Sequence, residues 1–206
     1  NVMVVGTGTI GEPLIGLLAE HKDALGLDNV LFFKRTPLSD EKGKVEALLR
    51  KGSKIVSSSD ALSDFKQLGF SEIEDVDNAY EDADVIIDCT PSGNENWKSI
   101  YSSLDQSKRF MAQGSEHGFG QFFAWGINND VLENGSNKYL IASCNTHNIA
   151  SIVKTFALDQ GRELVEGQFV CLRRANDVSQ NDSFSPSPTI TKHSDQEFGT
   201  HHARDV

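Results

Sequence analysis

Six residues, Gly6-Thr7-Gly8-Thr9-Ile10-Gly11, limit what this chain can fold into more than any other stretch of it. They match the pattern G-x-G-x-x-G, between a continuous apolar run at residues 2–5 and an apolar-periodic stretch at residues 10–21. In such a strand–turn–helix unit Gly6 allows a tight turn, Gly8 lets the backbone approach a pyrophosphate, and Gly11 lets helix pack on strand. N–H groups at the start of the helix then face the anionic phosphates. A glycine-rich connection that binds nothing can carry the same letters. The preceding strand and following helix are the context a dinucleotide site requires.

The rest of the chain repeats the alternation. Residues 30–33 read as a buried strand, 41–50 as an exposed helix with a Val45/Leu48/Leu49 seam, and 61–68 as a further helix. Residues 84–89 form a central strand, 97–104 a helix, and 109–112 and 139–142 short strands. On the first helix, Ile10, Leu14, Leu17 and Leu18 share a face. Strands that are apolar throughout and alternate with helices belong to a parallel sheet covered on both sides. The expected class is α/β, a Rossmann-type doubly wound parallel sheet, followed by the start of an α+β catalytic domain. The character changes near Cys144, so the expected domains are residues 1–142, which would bind the dinucleotide, and residues 143–206. In the second domain residues 149–158 read as a helix, 164–172 as a longer strand, and 176–205 as a polar loop segment.

The end of the second strand bears on which dinucleotide is taken. A carboxylate there would accept hydrogen bonds from the ribose 2′-hydroxyl of NAD and repel a 2′-phosphate. Here the strand ends in Lys34-Arg35-Thr36, two cations and a hydroxyl that suit the 2′-phosphate of NADP. NADP is favoured and NAD remains open, as does a pair of merely solvated cations.

Ser143-Cys144-Asn145-Thr146 stands between a strand and a helix start. A thiol there sees the positive end of the helix dipole, which favours thiolate, and Asn145 could orient an oxyanion. Cys144 is read either as a nucleophile or as a small core residue; Cys89 and Cys171, inside apolar strands, read as core. Arg173-Arg174 close the strand at residues 164–172 and suit a phosphorylated substrate or simply solvent. His201-His202 lack a carboxylate or Cys partner at ligand spacing, so no metal site is expected. With 30 acidic against 19 basic residues, the chain is too acidic for a nucleic-acid surface. No apolar run is long enough to span a bilayer, and three cysteines without short metal-ligand spacing point to a reducing cytoplasm. With no Met before Asn1 and no closing element before Val206, further residues are expected beyond both ends.

Several segments together resemble the archaeal-type phosphorylating glyceraldehyde-3-phosphate dehydrogenases: 8–11, 88–93, Gln113-Gly114, 143–146, Arg173-Arg174-Ala175 and 201–206, in the family's order. The resemblance implies NADP or NAD as cofactor and a homotetramer when full length. The small molecules implied are a phosphorylated aldehyde and inorganic phosphate, with no nucleic acid or membrane as partner. By position, Thr9, Ile10, Thr90 and Gly114 would contact the cofactor, with Arg174 at its junction with substrate. Cys144 would be the nucleophile, Ser143 and Asn145 would hold substrate, and His201 and His202 would bind its phosphate side. Lys34-Arg35-Thr36-Pro37 is similar to the family's Lys-Thr-Ser-Pro, which supports both cofactors. The motif departs at His147, where the family has a second Thr; its ring is expected to point away from the thiol.

The family's general base resembles a residue downstream of 201–206, so none is nominated here, and residues 1–206 alone are expected to bind NADP without family-rate turnover. The implied reaction oxidises glyceraldehyde 3-phosphate through a Cys144 thioester that phosphate cleaves to 1,3-bisphosphoglycerate, a step of glycolysis and gluconeogenesis. Rival readings are another cysteine-dependent Rossmann enzyme, such as an aspartate-semialdehyde or acylphosphate reductase, and a non-catalytic dinucleotide sensor.

Overall fold

A computed structural model of the chain describes residues 1–113, 116–171 and 197–206, with His201 described by its backbone alone. Its strands are β1 (Val2–Val5), β2 (Val30–Phe33), β3 (Lys54–Ser57), β4 (Ile73–Asp75), β5 (Val85–Asp88), β6 (Arg109–Gln113), β7 (Gln121–Phe123) and β8 (Lys138–Ile141). The helices are α1 (Gly11–Glu20), α2 (Lys42–Arg50), α3 (Leu62–Gln67), α4 (Val76–Asp82), α5 (Gly93–Ser99), α6 (Cys144–Phe156) and α7 (His201–Asp205).

The strands form one sheet in the order β4-β3-β2-β1-β5-β6-β8-β7. β1 pairs in parallel with β2 and β5, β2 with β3, β3 with β4, and β5 with β6. This is the doubly wound α/β arrangement expected from the alternation. The chain winds outward from β1 to β4, then returns to β5 on the other side of β1. Such a reversal opens a crevice at the carboxyl ends of β1 and β5, where sheets of this kind take their ligands.

Continuous apolar strands bury both sheet faces. On one, Val2, Val4, Phe32 and Ile55 pack with Ile15, Ala19, Val45, Leu48 and Phe65. Elsewhere in the core, Tyr101 stacks on Phe110 at 5.9 Å between ring centres, and Trp97 meets Phe110 edge-on at 5.2 Å. Each such side chain, fully buried, contributes roughly 1.5–3 kcal/mol.

Helix α1 corrects its expected face. Gly11, Ile15 and Ala19 are its buried row, whereas Ile10 and Leu17 are about half exposed at 49% and 55%. Leu14 and Leu18 flank that row and pack at the core's edge. The reason is steric: a Cβ on Gly11 would lie 1.9 Å from the Gly6 carbonyl oxygen, so the helix is rotated to bring its glycine against the turn. Strands β3, β4 and β7 and helix α4 were not anticipated from the sequence. They are three- and four-residue strands and a seven-residue helix, too short for periodicity to separate from loops.

The chain divides into two compact units, residues 1–121 with 136–140, and residues 122–135 with 141–206. In the second, α6 begins at Cys144, five residues before the expected start, because the Ser143 hydroxyl caps it by accepting from the Thr146 N–H at 3.3 Å. The strand expected at 164–172 is not formed over its described residues, 164–171, and Cys171 is exposed rather than core. An apolar run becomes a strand only with a ladder partner, and among the described residues this one has none; Val165 and Val170 stay open at 97% and 88% exposure. The loop expected at 176–205 is also corrected at its end, where α7 is capped by Thr200 through the Ala203 N–H.

Candidate functional site

In the first unit a cleft of about 560 Å³ opens at the carboxyl ends of β1, β2 and β5. Gly6, Lys34, Arg35, Thr36 and Thr90 line it, five of the residues singled out from the sequence. A larger hollow of about 760 Å³ lies where β3 and β4 begin, against Arg50, Lys54 and Phe70. That is the wrong end of the sheet for a ligand of this fold, so the smaller cleft is the candidate.

The three glycines act differently. Gly6 has φ +99°, open to glycine but not to other residues, and a Cβ there would press on Thr90 Cγ2 at 3.0 Å. Gly11 is the close helix–turn contact. A Cβ on Gly8 would meet nothing within 4 Å, so space stands open beside that backbone. Thr9 and Ile10 are exposed and outside the cleft lining. α1 follows its N-cap residue Ile10 without a side-chain cap. The Glu12 N–H donates to the Gly8 carbonyl at 3.0 Å and Pro13 has no N–H, so the first turn offers a ligand fewer N–H groups than a helix start normally does.

Lys34 is not the free cation that the sequence suggests. It is buried, at 7% exposure, and its Nζ is ion-paired with Glu41 Oε2. The Lys34 hydrogen bond above all holds the Glu41 carboxyl below its usual range, assisted by the charges of Lys34 and Lys44 against the opposing effect of burial. The sequence reading found no acid ending the second strand; the 3-10 turn Ser39–Glu41 brings one back to it. Arg35 and Thr36 are exposed.

Thr90 is held from beneath by Asp88, a fully buried carboxylate. Asp88 Oδ1 accepts from the Thr90 N–H at 2.8 Å and hydroxyl at 2.6 Å. Oδ2 accepts from Asn96 Nδ2 at 2.7 Å and the Tyr101 hydroxyl at 2.8 Å. Four donors compensate its removal from water. Burial, and the Asp88 charge after it, push the Tyr101 hydroxyl strongly upward in pKa, so it stays a donor. Asp88 and Asn96 were not singled out as site residues. A carboxylate closing an apolar strand was the available signal, since charged residues are almost never fully buried unless paired. Cys89, beside it, is buried as expected, and burial raises its thiol to about 12.

In the second unit Cys144 is exposed at the first position of the 13-residue helix α6. His202, from α7, converges on the same turn. Its Nδ1 lies 3.1 Å from Ser143 Oγ and 3.2 Å from Thr146 Oγ1, and its Nε2 lies 3.3 Å from Asn145 Nδ2. The tautomer that accepts from the Asn145 amide on Nε2 is the one that donates to the hydroxyls from Nδ1. His147 Nε2 donates to the Trp125 carbonyl at 2.9 Å. Gly114, Arg173 and Arg174 lie outside the described residues, as does the side chain of His201. Among the described residues no three His, Cys, Asp or Glu gather as metal ligands, and no helix is long and apolar enough to cross a membrane.

No protein-family model matches the chain. Curated relatives do. The glyceraldehyde-3-phosphate dehydrogenase of Pyrobaculum calidifontis is 27% identical over 214 residues, which take in 100% of this chain and 57% of that protein. That of Sulfolobus acidocaldarius is 27% identical over 210 residues, with the same two coverages. That of Pyrobaculum arsenaticum is 28% identical over 202 residues, covering 94% of this chain and 56% of the relative. The chain thus spans little more than half the length of the relatives it matches. A parallel doubly wound sheet with a glycine turn in its crevice, and an exposed cysteine opening a helix, are set in a chain that is similar from end to end to archaeal glyceraldehyde-3-phosphate dehydrogenases.

Proposed function

We propose that the chain carries the dinucleotide-binding and nucleophile-bearing parts of an NAD(P)-dependent, phosphorylating glyceraldehyde-3-phosphate dehydrogenase. The observation that carries this reading is Cys144, exposed at the first turn of α6, with its chain neighbours Ser143 and Asn145 both bound to His202. A nicotinamide dinucleotide suits the first unit: the cleft is lined by Gly6 and Thr7 of the glycine turn and by Arg35 and Thr36 at the β2 end, and space stands open beside the Gly8 backbone. A bound nicotinamide would supply one thing, acceptance of the hydride that leaves the substrate carbon.

Cys144 and its neighbours carry the covalent steps. The Cys144 sulfur adds to the aldehyde carbon, giving a hemithioacetal. Loss of a hydride from that carbon and a proton from its oxygen gives a thioester. Phosphate oxygen then attacks the thioester carbonyl, and the thiolate leaves as the acyl phosphate forms. An amide has two N–H donors; His202 occupies one on Asn145, and the other is available to the developing oxyanion. Ser143 holds the helix start and shares the His202 proton with Thr146. Gly114, Arg174 and His201 keep the roles that the resemblance implies, as do a cytoplasmic location and a homotetramer.

The test is to incubate the protein with glyceraldehyde 3-phosphate and each dinucleotide, without phosphate, and to seek a substrate adduct by peptide mass spectrometry. An adduct on Cys144, absent in Cys144→Ser with dinucleotide affinity kept, is expected. An adduct elsewhere, or none, refutes the nucleophile.

A further inference from the structure

The Lys34 charge, which lines the cleft at the β2 end, already has a partner in the fold. Glu41 reaches it from a turn seven residues on, and its other oxygen, Oε1, lies 3.6 Å from Lys44 Nζ. Lys44 in turn lies 3.1 Å from Glu12 Oε2 and donates to the Thr7 carbonyl at 3.4 Å. The glycine turn and the end of β2 are thereby joined by a chain of two lysines and two glutamates whose charges cancel. Arg35 is exposed and forms no ion pair among the described residues.

We propose that Glu41 is a specificity-determining residue of the dinucleotide site, setting by its neutralisation of Lys34 how far a 2′-phosphorylated dinucleotide is preferred over the unphosphorylated one. This rests on reading the cleft as the dinucleotide site. Glu41 does not line the cleft and acts through Lys34, which does. A 2′-phosphate near Lys34 gains from the ammonium and loses to the carboxylate one hydrogen bond behind it, so its net attraction falls to Arg35 and Thr36. A 2′-hydroxyl needs no cation and is indifferent to that cancellation. The arrangement therefore accommodates both dinucleotides from a strand end whose sequence is cationic.

Dissociation constants for NADP and NAD, measured by fluorescence titration of the 206-residue chain and three variants, test this. Glu41→Gln is expected to tighten NADP by about tenfold, or ~1.4 kcal/mol, with NAD changed by less than about twofold. Lys34→Met, which removes the cation lining the cleft and leaves Glu41 to Lys44, is expected to weaken NADP more than NAD. The double variant, neutral at both positions, is expected to lose the tenfold gain. An unchanged NADP/NAD ratio in Glu41→Gln, or a gain that persists in the double variant, overturns the proposal. If Glu41→Gln does not fold by circular dichroism, Lys34→Met decides alone, and equal losses for both dinucleotides overturn it. If the unmodified chain binds neither dinucleotide, the reading of the cleft itself fails and this inference goes with it.

Discussion

Two of the turns that lead from a strand into a helix, β1 into α1 and β8 into α6, are held by opposite means. At the first, the missing side chains decide: Gly6 takes φ +99°, and Gly11 sits where a Cβ would be 1.9 Å from a backbone oxygen. At the second, side chains do the holding: Ser143 and Thr146 are bound to each other and, with Asn145, to His202, which lies more than fifty residues further along the chain. The first turn is specified within six residues and built to leave space. The second is specified partly from afar and carries an exposed thiol at its first helical position. Room for a ligand's phosphates and fixed geometry around a nucleophile place different demands on a helix start, and the two turns answer them separately.

Thiol chemistry gives the largest contrast between them. Cys89 lies under the first turn, 3.3 Å from where a Gly11 Cβ would stand, with its thiol raised by burial from 9.0 to about 12. Native Cys89 is expected to alkylate at pH 8 about 10³ times more slowly than in denaturant, while Cys144, exposed at the second turn, labels in the native state. Rapid native labelling of Cys89 would mean that the first turn is open. The same burial has a stability consequence. Folding keeps this thiol neutral, so its contribution is whole below pH 9.0 and falls as pH rises toward about 12.

Next in size is the pair Gly11→Ala and Gly8→Ala. The first forces a backbone clash and is expected to cost about 3 kcal/mol or more, a melting-temperature drop of about 10 °C or more. The second adds a methyl to open space and is expected to leave melting within about 2 °C. It should still weaken dinucleotide binding by about tenfold or more, since the space it fills is the pyrophosphate's. Equal melting temperatures for the two would break the steric account of the turn.

Asp88→Asn replaces an acceptor-only carboxylate by a group that accepts on one side and donates on the other. Either Tyr101 and Asn96 or the Thr90 pair then faces a donor, for a loss of about 1–3 kcal/mol in thermal or chemical unfolding. A neutral result would show that the network re-forms around an amide.

Ser143→Ala has the smallest effect. It removes the cap of α6 and one His202 partner, and is expected to cost about 1 kcal/mol. Because the Thr146 hydroxyl also reaches His202 Nδ1, the imidazole should stay in place, and its NMR chemical shifts should move little. A large shift of the His202 signals would identify Ser143 as the main hold on the ring.

What was legible in the sequence was what local chemistry alone enforces. Apolar strands of four residues and a glycine pattern between strand and helix each carry their geometry within a few positions. From them the parallel sheet and its glycine turn follow, whereas the start of α6 at Cys144 lay five residues ahead of the expected one. Residues 164–172 show the limit of that reasoning, for their apolar run reads as a strand, but a strand also needs a neighbour, and no periodicity supplies one. The face of α1 failed for a related reason: the close approach of Gly11 to Gly6, not the count of leucines, fixed its rotation. Only the tertiary structure could bring Glu41 onto Lys34, four donors onto Asp88, and His202 onto the turn at Cys144. Charge compensation and hydrogen bonding act over a few ångströms of space, and a sequence records distance only along the chain.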